Sequence, residues 1–362
     1  MRTRLIHGAN NFAGLLLAVT FLTQSTGGAD PRKRNPGDTI TTSVAVVVAP
    51  ATVRAKSGQF ISDLQLQDFK IYDNSKLQKV NADLRDSPLS LVVAIQRSAD
   101  MAGMLPKVQR TGPALTGLLV GQEGEIAVLG FDHRVQLAQD FTEDSGKICR
   151  TMKELTTGSY SHAAIDAVME SVRMLENRPR ERRRVVLVVS EKWDKGSHAS
   201  LREALLQAQL GNITIYSLNV STAAAELTSE PKPQPPPVLP TTAQHVPAGA
   251  PLTPTTIGQN YYLGNWTPLI VNGFHSVEDV FSDNTLEVFT RFTGGEGYSF
   301  DDEDTLGQAI QNLSEDLHSQ YLLRYSPNNL SQGGFHQIRV VVKRRDVTVR
   351  TRPGYWVAGK PE

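Results

Sequence analysis

Cysteine is almost missing from this chain: Cys149 stands alone among 362 residues. That excludes an intrachain disulfide framework, a zinc finger and a Cys-ligated iron–sulfur cluster. An excess of either charge is missing too. Lys and Arg together number 37, and Asp and Glu also 37, so no whole-chain pull toward nucleic acid or an anionic membrane follows. Beyond Leu22 no apolar run is long enough for a spanning helix. The chain also lacks a Gly-x-Ser-x-Gly nucleophile elbow, a His-Glu-x-x-His zinc motif, a phosphate-binding Gly-rich loop and a dinucleotide fingerprint. What is present is ordinary. Hydrophobic residues at 40% and charged residues at 20% permit a large core and exclude wholesale disorder, and the length allows two or three domains.

The first residues carry Arg2 and Arg4, an apolar stretch from Phe12 to Leu22, and the small residues Gly27, Gly28 and Ala29. This order predicts a secretory signal peptide over 1–28, with an uncleaved anchor as the alternative. The mature chain is therefore expected to be exported, periplasmic or secreted. Residues 40–87 and 321–357 both read as short β-branched or alternating runs broken by polar turns such as Asp73-Asn74-Ser75 and Pro327-Asn328-Asn329. Neither segment has enough strands to bury a sheet alone, so the two are expected to pair into one antiparallel β-sandwich.

Between them the pattern alternates strand and helix. Leu89–Ile95 and Arg184–Ser190 are the continuous apolar runs that central parallel strands need. Further strands are expected over Glu125–Phe131, Val135–Phe141 and Ile213–Val220. Helical spacing marks Lys107–Leu119, Ser145–Leu155, Ala163–Leu175, Ser200–Leu210, Thr285–Phe292 and Thr305–Leu317. The order predicts a doubly wound, mostly parallel α/β sheet over 88–222 and 283–320, inserted into the sandwich, with function at the loops that follow the strands. Residues 223–282 interrupt this domain with a proline-rich excursion, read either as a spacer or as a partner-binding loop.

The apolar strand 89–95 with its Gln96-Arg97-Ser98-Ala99-Asp100 loop, the helix beginning Ala163-Ala164-Ile165-Asp166, and Arg184–Ser190 followed by Glu191 resemble a von Willebrand factor type A (VWFA) domain. The flanks LQLQDFKIYD (Leu64–Asp73), YLLRY (Tyr321–Tyr325) and RPGYW (Arg352–Trp356) are similar to the exported VWFA-related proteins of acidobacteria. The resemblance covers nearly the whole mature chain and implies a metal-ion-dependent adhesion site that holds Mg²⁺ through an Asp-x-Ser-x-Ser loop, a Thr and a later Asp. Laid onto that pattern, Gln96 stands for the first Asp, Ser98 for the first Ser and Asp100 for the second. His162 takes the Thr position and Glu191 the last Asp. Only Ser98 matches, so the signature is degenerate: an imidazole and an amide suit Mg²⁺ poorly, and the open readings are Mg²⁺, another divalent cation, or a metal-free remnant.

Three other features are weaker. Asp301-Asp302-Glu303-Asp304 reads as the acidic start of a helix rather than a Ca²⁺ loop. Arg178, Arg180, Arg182, Arg183 and Arg184 form a basic run, read as a solvated helix-to-strand loop or an anion site. Cys149, on a predicted helix without an evident His partner, reads as a buried thiol. The expectation is a non-catalytic, exported, adhesion-type protein that binds an extracytoplasmic partner through Ser98, Asp100, Ser159, Ser161, His162 and Glu191. An envelope scaffold making its contacts through the proline-rich excursion is the competing expectation.

Overall fold

Parallel strands covered by helices on both faces must be apolar on both faces, and the middle of the chain is built that way. The computed structural model describes residues 46–121, 123–221, 284–330 and 334–357. The expected signal peptide, 1–28, and the proline-rich excursion, 223–282, lie outside the described residues. Strands β5 (Leu89–Gln96) and β8 (Arg183–Ser190) are buried at every position. With β6 (Glu125–Phe131), β7 (Val135–Thr142), β9 (Thr214–Val220) and β10 (Gly297–Phe300) they form a sheet of order β10-β9-β8-β5-β6-β7, in which β7 alone runs antiparallel.

Alternate residues of β5 serve opposite faces. Leu91, Val93 and Ile95 pack in one core with side chains of α1 (Leu105–Gln109), α3 (Ser145–Glu154) and α7 (Glu303–Ser319). Val92 and Ala94 pack in the other with α4 (Ala164–Glu176), α5 (Leu201–Leu210) and α6 (Thr285–Thr293). From β5 the chain moves outward to β6 and β7, then returns to β8 on the other side. The loops after β5 and β8 therefore flank the crevice where the strand order reverses.

Two helical details depart from the periodicity. The single helix expected over Lys107–Leu119 is instead α1, the turn α2 (Gly112–Ala114) and a π-helical turn over Leu115–Val120. Pro113 supplies no backbone donor and disfavours helical geometry at the residue before it, and Gly112 lets Cys149 of α3 approach closely. Cys149 is accordingly half-buried rather than fully buried. Strand β10 was not expected at all. It follows Gly294, which ends α6 with φ at 87°, and Gly295, where a Cβ would stand 1.9 Å from the Ile215 carbonyl oxygen. A side chain at 295 would push β10 off the sheet edge. The acidic run behaves as read: Asp302 caps α7, its carboxyl group accepting from the Thr305 amide at 2.8 Å.

The strands near the two termini make a second layer pair. β1 (Val47–Ala55), β4 (Val80–Asp83), β11 (Tyr321–Tyr325) and β13 (Val347–Thr351) form the antiparallel sheet β13-β1-β11-β4. β2 (Phe69–Asp73), β3 (Lys76–Gln78), β12 (Gly334–Val342) and β14 (Gly354–Val357) form β14-β12-β2-β3. Their shared core holds Val47, Val53, Ile71, Tyr321, Leu323 and Ile338. The fold is thus a doubly wound α/β sheet inserted into a sandwich made by both ends of the described chain. At the junction Asp316 of α7, fully buried, accepts from Thr52 Oγ1 of β1 at 2.9 Å and Tyr298 OH of β10 at 3.0 Å, and pairs with Arg350 of β13.

Inside the sandwich one carboxyl group organises the closure. Asp73 Oδ2 accepts from Tyr325 OH at 3.0 Å and Tyr355 OH at 2.7 Å, while Oδ1 accepts from Asn329 Nδ2 at 2.9 Å and meets His336 Nδ1 at 2.7 Å. Burial, first of all, and the neighbouring Asp73 raise both tyrosine hydroxyls well above their ordinary pKa, so they stay protonated donors. Replacing Asp73 by alanine strands four buried polar groups. Asp73→Ala is expected to lower the unfolding free energy by about 3–5 kcal/mol in urea melts, against less than about 0.5 kcal/mol for Lys76→Ala on the exposed neighbouring strand.

Candidate functional site

The crevice at the carboxyl ends of β5 and β8 gathers five of the side chains singled out from the sequence. Gln96 ends β5, Ser98 and Asp100 follow it, Glu191 follows β8, and His162 precedes α4; all five are buried. Gln96 is the hub. Its Oε1 accepts from the Glu191 backbone amide at 2.8 Å and from Ser190 Oγ at 2.7 Å. A backbone N–H can only donate, so the carbonyl end of the amide must face Glu191 and the NH₂ end must face the crevice. There Nε2 reaches Ser98 Oγ at 2.7 Å, Glu191 Oε2 at 3.0 Å and His162 Nδ1 at 3.2 Å.

The hydrogen bond of His162 Nε2 to the Trp193 carbonyl oxygen, 2.9 Å, places the ring proton on Nε2 and leaves Nδ1 as an acceptor for Gln96. Burial pushes the imidazole below its ordinary pKa, against the opposing influence of the Trp193 carbonyl and the Glu191 carboxylate. His162 is therefore neutral in the folded chain at neutral pH.

A residue that the sequence reading passed over completes the arrangement. Lys195 Nζ lies 3.2 Å from Asp100 Oδ2 and 3.6 Å from Glu191 Oε2, an ammonium set between the two buried carboxylates. No motif signals this pairing, because Lys195 sits in an irregular loop whose path is decided by other contacts. Ser161 Oγ donates to the Lys195 carbonyl at 2.7 Å, and the Lys195 amide donates to the His162 carbonyl at 3.0 Å. Asp194 Oδ1 accepts from the Ile165 amide at 3.2 Å, at the start of α4, and from Ser197 Oγ at 2.6 Å. Asp166 in turn accepts from the His198 and Ala199 amides. The loop after β8 is thereby fastened to the first turn of α4.

Asp132, after β6, anchors the remaining loop and was also missed. Its carboxyl group accepts from the Ser159 and Arg134 amides at 3.1 and 2.9 Å. Burial works to raise its pKa but is outweighed by these two amides and by the charges of Arg97 and His133, which together hold it below the usual carboxylate range. Ser159 and Ser161 do not join the buried cluster. Ser159 Oγ contacts His133 Nδ1 at 2.8 Å, and Ser161 is spent on the Lys195 carbonyl. The large hydrophobic side chains that reach solvent here are Tyr160, 40% exposed, and Trp193, 38% exposed.

This donor set does not fit Mg²⁺. A hard octahedral ion needs converging oxygens, whereas here an amide NH₂ points into the centre, an imidazole nitrogen faces it, and an ammonium already lies on both carboxylates. Ligand atoms of Asp100, His162 and Glu191 do lie within 4.8 Å of one another. Two carboxylates and an imidazole suit a borderline ion such as Zn²⁺, yet Lys195 would have to leave before any cation entered.

No protein-family model and no curated protein matches the chain. Among solved structures, BatB from Bacteroides thetaiotaomicron is similar at 12% identity over 63% of this chain and 99% of its own, with a TM-score of 0.39. An aerotolerance-related membrane protein from Bacteroides fragilis is similar at 11% identity over 62% and 98%, with a TM-score of 0.38. The vWF domain of the type V pili tip protein Mfa5 from Porphyromonas gingivalis is similar at 16% identity over 30% and 38%, with a TM-score of 0.25.

Two outcomes are expected. Thermal melts of the wild type are indifferent to chelator and to added Mg²⁺, Mn²⁺ or Zn²⁺, while Lys195→Met melts lower without metal and rises by several degrees with Mn²⁺ or Zn²⁺, since an ion that binds only the folded state stabilises it. The second concerns acid. An unfolded His takes up its proton near pH 6.5, but buried His162 resists doing so, so folding stability falls as pH drops from 7 to 5. Urea midpoints at the two pH values should show His162→Gln losing less than the wild type, by up to about 2 kcal/mol.

Proposed function

We propose that this chain is an exported, non-catalytic protein-binding module of VWFA type, and that it engages an extracytoplasmic protein through the loops after β5, β6 and β8 without a bridging metal ion. The observation that carries this reading is the division of labour at the crevice: the polar groups beneath are satisfied by one another, while Tyr160 and Trp193 stand exposed above them. Amphipathic aromatics exposed at a loop cluster are among the side chains that dominate protein–protein contacts. With Lys195 lying on both buried carboxylates, contact rests on these rings and on the half-exposed Lys195 itself.

The buried cluster also supports a non-catalytic role. It offers a neutral imidazole already engaged on both nitrogens and no activated nucleophile. Export is supported by the leader-like pattern at Arg2–Ala29. No helix among the described residues is long and apolar enough to cross a membrane.

Photocrosslinking tests the reading. A photoreactive amino acid at Trp193 or Tyr160, in cells that make the full chain, is expected to yield one discrete adduct with a second protein, and the adduct persists in chelator. The same group at Leu77, exposed on the sandwich edge far along the chain, should yield none. Adducts of equal yield from all three positions, or from Leu77 alone, would refute it.

A further inference from the structure

The opposite end of the same sheet carries positive charge that no ion pair among the described residues neutralises. Of the basic run at 178–184, two members are accounted for: Arg178 and Arg182 pair with Glu125. The other three line a cleft of about 620 Å³ between the amino end of β8 and the sandwich strands β1 and β11, where Arg324 joins them. Arg183 and Arg184 are only 7% and 8% exposed, which corrects the reading as a solvated loop for these two residues, while Arg180 is exposed as expected. Arg183 Nη2 donates to Gln320 Oε1 at 3.2 Å, its Nε is buried without an acceptor, and Arg184 donates to the Gly211 carbonyl. Among the described residues no carboxylate lies within ion-pair distance of Arg180, Arg183, Arg184 or Arg324.

Buried guanidinium groups without a counter-charge are costly. Burial lowers the pKa of both Arg183 and Arg184, in spite of Asp316 and Asp83 near the first and Glu176 and Glu181 near the second. Asp316 is already committed to Arg350 and Asp83 to Arg85. Glu176 and Glu181 line the cleft as exposed groups, leaving the arginines in excess. Val48, Leu84 and Leu322 supply apolar wall. The volume suits a ligand of small-molecule size, and a guanidinium fork matches carboxylate and phosphate oxygens.

We propose that this cleft binds a small organic polyanion carrying carboxylate or phosphate groups, drawn in by Arg180 and Arg324 at its mouth and by the buried Arg183 and Arg184 behind them. The site is independent of the loop face at the carboxyl ends of the strands. None of its lining residues is aromatic, so it lacks the stacking platform that single-stranded nucleic acid uses.

The test is calorimetric titration of the full chain with pyrophosphate, citrate and inorganic phosphate, repeated with added NaCl and with a short single-stranded oligonucleotide. One-to-one binding of pyrophosphate or citrate that weakens with salt is expected, and whichever of the two binds tighter identifies the oxyanion. Arg180→Gln and Arg324→Gln, both outside the core, should each weaken it at least tenfold. Arg339→Gln, which removes a guanidinium stacked over Tyr72 on the sandwich, should leave it unchanged. Absence of binding by all three anions, equal loss in Arg339→Gln, or tighter binding of the oligonucleotide would overturn the proposal.

Discussion

Everything in this fold depends on two distant stretches of chain closing one β-sandwich, and the buried carboxyl group of Asp73 is where they close. It sits at the end of β2 and receives donors from β11, the loop after it, β12 and β14, separated from it by at least 252 residues. A polar group at that depth is tolerable only when each lone pair is met. The sandwich therefore has a single register in which the tyrosine hydroxyls, the asparagine amide and the imidazole all converge. The inserted α/β sheet is then held to the sandwich by a second buried acid, Asp316, which gathers Thr52, Tyr298 and Arg350.

The two ends of the α/β sheet treat charge in opposite ways. At the carboxyl end, buried Asp100 and Glu191 share the ammonium of Lys195, and Glu191 also accepts from the amide of Gln96. An ammonium on a flexible stem takes up the space between the two carboxylates that a cation would need, and offsets one of their two charges. At the amino end the buried charge is positive and has no ion-pair partner among the described residues, because Glu125 is used up by Arg178 and Arg182. A closed polar network suits a surface that presents aromatic side chains, and an open one suits the capture of an anion.

Much of the architecture is legible without coordinates. The continuous apolar runs of β5 and β8 announce central parallel strands, and the 3.6-residue spacing announces α3 to α7 to within a few residues. The convergence of Gln96, Ser98, Asp100, His162 and Glu191 is legible from the resemblance to a VWFA domain. Less accessible are β10, four residues long and dependent on Gly295 for its approach to β9, and the broken helix around Pro113. Elements this short carry too few residues for a periodic signal, and their geometry is set by neighbours.

The sequence by itself determined which segments must be buried, because hydrophobic period and turn chemistry are local properties that each residue carries wherever it goes. Tertiary structure alone decided how the polar residues spend their hydrogen bonds. Which end of the Gln96 amide faces the crevice follows from the backbone of Glu191, 95 residues away. Lys195 becomes the counter-ion of Asp100 only because Asp194, Asp166 and Ser161 bend its loop back onto α4. Arg183 and Arg184 become buried cations, rather than solvated ones, only because the sandwich covers the amino end of β8. Hydrogen bonding and charge compensation are relations between residues far apart in sequence, and their partners exist only once the chain has closed.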